Sequence, residues 1–158
     1  MKKLFISHSS KDRKLVEEFI EFLQLGMGGK KADIFCTAYP EMLATGRGFV
    51  EEIHKQMQEC EMVLFIITEE YLQSAFCLAE MGAAWGMGKQ CFPLLTVDYR
   101  RLDGTPLLGI QMRKLSSIDD MSVLYDELHK CGILDEYQTA EFNRRLSKFV
   151  EAVKASAQ

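Results

Sequence analysis

The sequence predicts an α/β fold in which a central parallel sheet of four to five strands is flanked by helices. Short apolar runs that suit buried strands alternate with stretches whose apolar residues recur at helical spacing. The strongest strand pattern, residues 62–67, is continuously apolar, as expected for a central strand covered on both faces. Together these patterns indicate a flavodoxin-like three-layer sandwich.

Length and composition indicate one globular domain spanning residues 1–158. Hydrophobic side chains make up 47% and charged side chains 27% of the sequence, which is typical of soluble proteins. The net charge is -4 and basic residues occur only as scattered pairs, which argues against nucleic acid as a partner. Five cysteines without a Cys-x-x-Cys spacing argue against a disulfide framework and against a metal site.

No stretch of the sequence predicts secretion or insertion into a membrane. Only three apolar residues, 4–6, precede the polar run 7–10, which is too few for a signal peptide. The apolar stretch 71–88 contains Gln73, Glu80 and several glycines, which excludes a membrane-spanning helix. We therefore expect a cytoplasmic protein.

The first half of the chain alternates strands and helices. The predicted elements are a strand at 3–7, a helix that Ser9 or Ser10 can cap and that ends at 26–29, a strand at 33–36, a loop at 37–48, a helix at 48–59 and a strand at 62–67. The loop contains Pro40, Gly46 and Gly48, which suit irregular backbone.

The second half of the chain continues the alternation less regularly. Its predicted elements are a helix over 71–88, a strand at 91–97, an irregular segment at 98–112, a short strand at 113–115, and helices over 121–131 and 142–153.

The predicted helix over 71–88 carries one charged residue, Glu80, among apolar and small side chains. Thr68 can cap this helix, and helical spacing places Phe76 and Cys77 on the same face as Glu80. A lone carboxylate in apolar surroundings is costly unless it is paired or used, and such residues are enriched at functional sites. The alternative is that Glu80 pairs with an arginine or caps a neighbouring loop.

The carboxyl edge of the predicted sheet is where doubly wound folds bind ligands. Four segments reach this edge: residues 7–12, the loop 37–48, the residues from 68 onward and those from 97 onward. The helix that carries Glu80 begins at the same edge, which makes this edge the candidate site.

The stretch Ser74-Ala-Phe-Cys-Leu-Ala-Glu80 resembles the signature helix of Toll/interleukin-1 receptor (TIR) domains. Residues 5–12 resemble the family's first strand and loop, residues 34–48 its second strand and BB loop, and residues 63–74 its central strand. Phe76 stands where many NAD-cleaving members carry Trp, and Glu41 follows Pro40 where glycine is frequent.

The resemblance implies that Glu80 is the catalytic residue of an enzyme that cleaves NAD+, which would be a substrate and not a cofactor. Nicotinamide in NAD+ is already cationic and leaves neutral, so one carboxylate that stabilises an oxocarbenium-like state can suffice. The residues that we expect to bind the substrate are Ser7, His8, Ser9, Asp12, Arg47, Ser74, Phe76 and Cys77. Phe76 could stack on the leaving ring. Structural roles remain alternatives, since Ser9 can cap a helix, His8 can bond to the backbone and Arg47 can be solvated.

The function that this resemblance implies is that of a bacterial TIR-domain NAD+ glycohydrolase or cyclase in defence against phage. It also implies self-association through the loop 37–48, which begins at Thr37 and ends at Gly48. Because the chain has no room for a separate effector domain, we expect a cyclic or modified ADP-ribose that a separate effector protein senses. The alternatives are a non-catalytic TIR module that only assembles with other TIR domains, and an enzyme like the nucleoside deoxyribosyltransferases, which also use a glutamate.

Overall fold

The central sheet contains five parallel strands within the described part of the chain. The computed structural model of the protein describes residues 3–36 and 49–156. The strands are β1 Leu4–Ser7, β2 Ile34–Cys36, β3 Met62–Ile67, β4 Gln90–Leu95 and β5 Arg113–Lys114. Their spatial order is β2-β1-β3-β4-β5 and every pairing is parallel. This order is that of a doubly wound sheet, which confirms the predicted fold class.

Six α-helices connect and cover the described strands. They are α1 Arg13–Glu21, α2 Phe49–Glu59, α3 Glu69–Leu72, α4 Ala75–Gly86, α5 Ile118–Lys130 and α6 Thr139–Ser156. A 3-10 turn, Ser10–Asp12, leads into α1, and a π-helical turn, Phe22–Gly26, extends it. A further 3-10 turn, Tyr99–Leu102, lies in the irregular segment that follows β4.

The two faces of the sheet have separate hydrophobic cores. Because side chains alternate along a strand, Leu4 and Ile6 face a core that includes residues of α1, α5 and α6. Phe5 faces the other core, which includes residues of α2, α3 and α4. The same alternation assigns Ser7, two residues after Phe5, to the face that α3 and α4 cover. Ser7 is also the last residue of β1, so it lies at the carboxyl edge of the sheet.

The stretch predicted as one helix over 71–88 forms two helices, so that prediction was wrong. Helix α3 ends at Leu72, and Ser74 starts α4 by accepting a hydrogen bond on its side chain from the amide of Cys77 at 3.2 Å. A serine that satisfies a free helical amide favours a new helix start over continuation of the preceding helix.

Helix α4 is also less buried than its apolar composition predicts. Cys77, Glu80, Met81 and Ala84 point into the protein, whereas Leu78 and Trp85 are exposed. Phe76 lies at the start of the helix with 40% of its surface exposed, although helical spacing had grouped it with Glu80. Composition indicated burial on all sides, but only one side of this helix rests on the sheet.

Other predictions of structure can be compared with the described residues. Strand β4 ends at Leu95, two residues before the predicted limit, and the five cysteines are free thiols. The predicted loop at 37–48, with Arg47, lies outside the described residues. Within residues 3–36 and 49–156, no helix is both long enough and apolar enough to cross a lipid bilayer.

Candidate active site

A hydrogen bond between β1 and α4 forms the centre of the candidate site. Ser7 ends β1 and Glu80 lies in the middle of α4, and both side chains are buried. The Ser7 hydroxyl oxygen lies 3.1 Å from Oε1 of Glu80 and donates to it when the carboxylate is ionised. The serine therefore anchors the carboxyl group at the carboxyl edge of the sheet, where the sequence analysis placed the site.

Tyr71 is a third member of this cluster that the sequence analysis did not include. It is fully buried in α3, and its hydroxyl oxygen lies 2.8 Å from Oγ of Ser7 and 3.1 Å from the carbonyl oxygen of Cys77. Thr68 fixes the start of α3 by accepting a hydrogen bond from the Tyr71 amide at 3.1 Å. Tyr71 and Glu80 lie on different helices, so no helical periodicity relates them. The available signal was chemical, because a buried tyrosine needs a partner for its hydroxyl.

Burial dominates the electrostatics of Glu80. Removal of the carboxylate from water raises the pKa of Glu80 from 4.5 to about 7, and the hydrogen bond from Ser7 offsets part of that rise. Among residues 3–36 and 49–156, no ion pair joins a basic side chain to Glu80. Of the two structural alternatives, pairing with an arginine is therefore not observed in this part of the molecule. Glu80 changes its charge in the physiological pH range.

The turn after β1 is tied to both helices of the cluster. The Cys77 thiol donates to the carbonyl oxygen of His8 at 3.6 Å, and the Thr68 hydroxyl donates to the carboxylate of Asp12. Burial lowers the pKa of His8 and raises those of Asp12 and Cys77. These bonds hold the polar turn against α4 and against the start of α3.

The structure brings together some of the predicted binding residues and gives others structural contacts. Ser7 contacts Glu80 directly, and Cys77, one turn before Glu80 on α4, donates to the carbonyl oxygen of His8. Asp12 accepts a hydrogen bond from Thr68, the cap of α3. Ser9 caps the 3-10 turn by accepting from the amide of Lys11, and Ser74 caps α4. The His8 imidazole contacts the carbonyl oxygen of Ser9 at 3.0 Å. The binding roles of these residues stay predictions.

The surroundings of the cluster contain a cleft but no metal-binding group. Within the described ranges, no three acidic, histidine or cysteine side chains are grouped to hold a metal ion. An open cleft of about 410 Å³ adjoins the cluster at Asp12 and Thr68, and Lys11 and Lys14 also line it. Glu80 is not part of its lining.

The fold and the site together define a class of protein. A 2-1-3-4-5 parallel sheet defines a doubly wound α/β domain, a class in which ligands bind outside the carboxyl ends of the strands, and Ser7 and Glu80 meet at that edge. Residues 4–129 match the family described as TIR domain. The chain belongs to the TIR domain family.

The chain is also similar to individual proteins. YddK of Bacillus subtilis (strain 168), an uncharacterised protein, is 35% identical over 100 residues, which are 63% of this chain and 37% of YddK. The TIR domain of the Toll-related receptor TRR-2 from Hydra magnipapillata has the same fold, with a TM-score of 0.64 at 16% identity over 83% of this chain and 98% of that one. The TIR domains of the activated Roq1 resistosome give a TM-score of 0.52 at 15% identity over 96% and 84% of the two chains.

The raised pKa of Glu80 predicts that the protein loses stability as pH rises. The folded state holds the Glu80 proton more tightly than the unfolded chain, so this contribution is complete below about pH 4.5 and lost by about pH 7. A difference of about 2.5 pKa units corresponds to about 3 kcal/mol. Glu80→Gln cannot ionise, so its free energy of unfolding relative to the wild type should increase by about that amount between pH 4.5 and pH 8.5.

Urea unfolding of the two proteins at both pH values measures this difference. Other titrating groups are common to both proteins and cancel in the comparison. Equal pH dependence in both would show that Glu80 ionises in the folded protein as readily as in the unfolded chain.

Proposed function

We propose that the chain is an NAD+ glycohydrolase or cyclase that breaks the bond between nicotinamide and ribose with Glu80 as its catalytic residue. The observation that supports this most is a buried carboxyl group at the strand ends of a TIR domain, which a serine holds and with which no cation among residues 3–36 and 49–156 is paired. Residues 74–80 resemble the signature helix of TIR domains, and in the members of that family that cleave NAD the glutamate at this position is the catalytic residue. A carboxylate that a neighbouring cation neutralised would be a poorer stabiliser of developing positive charge.

The proposed reaction begins with departure of the leaving group. The electron pair of the glycosidic bond leaves with the nicotinamide nitrogen, which becomes neutral, and positive charge develops on the ribose. The ionised carboxylate of Glu80 stabilises that charge, and the low-dielectric surroundings strengthen the attraction. Water or a second nucleophile then attacks the anomeric carbon. Hydrolysis gives ADP-ribose, and attack from within the same molecule gives a cyclic product.

The residues around Glu80 suit the remaining parts of NAD+. Phe76 presents an exposed aromatic ring near the start of α4, one helical turn before Glu80, which suits stacking on nicotinamide. The polar turn from Ser7 to Asp12 offers partners for the ribose hydroxyls. We include Arg47 as a phosphate ligand on the basis of the sequence alone.

The biological role that we propose is cytoplasmic immune signalling directed against phage. The likeness to the TIR domains of the activated Roq1 resistosome, a structure described as directly recognising a pathogen effector, is what supports assembly and an immune role in this proposal. We propose that this chain also associates with copies of itself, through residues 37–48, and that a separate effector protein senses its product. A TIR module that only assembles would lack the nicotinamide-releasing activity tested below.

The first prediction of the proposal concerns Glu80→Gln. The amide cannot stabilise positive charge on the ribose, so release of nicotinamide from NAD+ should fall by a factor of about 10² to 10³. Chromatography of nicotinamide over time measures the rate. Glu151→Gln, an exposed change on α6, is the matched control and should retain the wild-type rate. An undiminished rate in folded Glu80→Gln would remove this residue from the catalytic role.

The pH dependence of the reaction provides a second prediction. Only the ionised carboxylate is competent, and the pKa of Glu80 is about 7 in the free protein. The value of kcat/KM should therefore fall about tenfold per pH unit below pH 7 and level off above it. Initial rates between pH 5 and pH 9 measure the profile. A profile that stays flat down to pH 5 would contradict an essential carboxylate with a raised pKa.

A third prediction addresses assembly. If neighbouring copies complete the site, the rate per molecule should rise with protein concentration. Tyr39→Asp combined with Leu43→Glu, which adds charge to the loop 37–48, should abolish that rise. Leu25→Glu, at an exposed position in the π-helical turn, should preserve it. A rate per molecule that does not depend on concentration would exclude assembly through this loop as a requirement.

A further inference from the structure

Three oxygen-oxygen contacts connect Glu80 to the backbone of its own helix. Oε1 of Glu80 lies 3.1 Å from Oγ of Ser7, which lies 2.8 Å from the hydroxyl oxygen of Tyr71, which lies 3.1 Å from the carbonyl oxygen of Cys77. All three distances are those of hydrogen bonds. The four oxygens come from β1, α3 and α4, so the chain of contacts joins three elements.

The number of protons available to these three contacts depends on the ionisation of Glu80. Each hydrogen bond needs one proton, and the serine and tyrosine hydroxyls supply one each. The carbonyl oxygen and an ionised carboxylate supply none. With Glu80 ionised, two protons serve three contacts, so one contact places two oxygens together without a proton. With Glu80 protonated, three protons serve three contacts, and every group is satisfied.

We propose that Glu80 carries a proton in the resting protein and that this proton completes the chain of hydrogen bonds through Ser7 and Tyr71 to the Cys77 carbonyl. Tyr71 is then a positioning residue for the ionisation of Glu80. In the protonated state Glu80 donates to Ser7, Ser7 to Tyr71, and Tyr71 to Cys77. In the ionised state Ser7 turns its proton to the carboxylate and Tyr71 turns its proton to Ser7. The tyrosine then gives up its bond to the carbonyl.

The two hydroxyl groups therefore influence the pKa of Glu80 in opposite directions. Ser7 donates to the carboxylate through a charge-assisted bond, which favours the ionised form. Tyr71 favours the protonated form, because only that form allows its bonds to Ser7 and Cys77 at the same time. Tyr71 also polarises the Ser7 hydroxyl towards the carboxylate, but cooperative strengthening of about 10–30% per bond is smaller than the gain of one whole bond.

Other titratable groups lie near these contacts, but none of them is among the causes of the pKa shift of Glu80. Those facing the contacts in the described residues are His8 and Asp12 from the turn after β1, Tyr71 from α3, Cys77 from α4 and Cys91 from β4. Burial raises the pKa of the tyrosine and of both thiols and lowers that of His8. The two influences on the pKa of Glu80 are burial, which raises it, and the bond from Ser7, which lowers it.

The proposal is tested by following the carboxyl carbon of Glu80 by ¹³C NMR between pH 4 and pH 9. Protein labelled with [¹³C]glutamate is used, and Glu80→Gln assigns the signal. Tyr71→Phe keeps the buried ring but removes two hydrogen bonds from the protonated state and one from the ionised state. The protonated state therefore loses one bond more, and the midpoint should fall by about 0.5 to 1 pH unit.

Tyr125→Phe is the matched control, because it removes a buried tyrosine hydroxyl from the core on the opposite face of the sheet. The wild-type midpoint should be retained in this variant. A midpoint in Tyr71→Phe that is unchanged or higher overturns the proposal. A second measurement uses the wild type alone and so does not depend on a variant that folds. The carbonyl ¹³C shift of Cys77 should change at the Glu80 midpoint, because the Tyr71 hydroxyl no longer donates to that carbonyl once Glu80 is ionised. A Cys77 shift that does not change there also overturns it.

The role of Tyr71 in catalysis rests on the proposed function, whereas the titration does not. If the chain cleaves NAD+, Tyr71→Phe should move the acid limb of the kcat/KM profile to lower pH by the shift that NMR records, with the plateau unchanged. A merely structural tyrosine would lower the plateau and leave the limb in place, and that result counts against a positioning role. A protein that shows the NMR shifts but releases no nicotinamide would refute the proposed function and leave the proton chain intact.

Discussion

The burial of one carboxyl group against a serine hydroxyl is the constraint on which the site depends. In water a carboxyl group with a pKa of 4.5 is almost wholly ionised at neutral pH, but in this protein burial moves the pKa of Glu80 to about 7. A basic partner would have cancelled that effect by stabilising the charge. The hydroxyl of Ser7 offsets it only in part, so the group retains both of its protonation states in the range where a cell operates.

Two helix starts in quick succession place the partners of this carboxyl group. Thr68 caps α3, which holds Tyr71 within a single short helix, and Ser74 caps α4, which holds Glu80. A continuous helix would have fixed the angle between these two side chains at the value set by their separation of nine residues. The interruption at Ser74 frees their relative orientation, and both reach the same serine at the end of β1. The caps therefore matter for chemistry as well as for helix stability.

The sequence predicted the layers of the fold better than the details of the site. Alternation of apolar strands with amphipathic helices is a local pattern with a fixed period, and it sufficed for the five-stranded doubly wound sheet. It also placed Ser7 and Glu80 at one edge. The prediction of one helix over 71–88 was wrong because the apolar composition of this stretch concealed the helix start at Ser74. The same composition suggested more burial than α4 has, since Leu78 and Trp85 are exposed in spite of their hydrophobicity. Tyr71 was missed because its contact with Ser7 crosses 64 residues of sequence.

The proposed function needs Glu80 as an anion beside the cationic end of NAD+, whereas in the free protein below pH 7 most molecules carry Glu80 protonated. Binding of the cation to the competent form should therefore release the proton of Glu80. The most direct measurement is the number of protons released on binding of carba-NAD+, an analogue whose glycosidic bond cannot be hydrolysed. Calorimetry at pH 6 in buffers of different ionisation enthalpy gives this number. Because the pKa of Glu80 is about 7, the wild type should release close to one proton and Glu80→Gln close to none. Binding to the wild type without proton release would contradict the account.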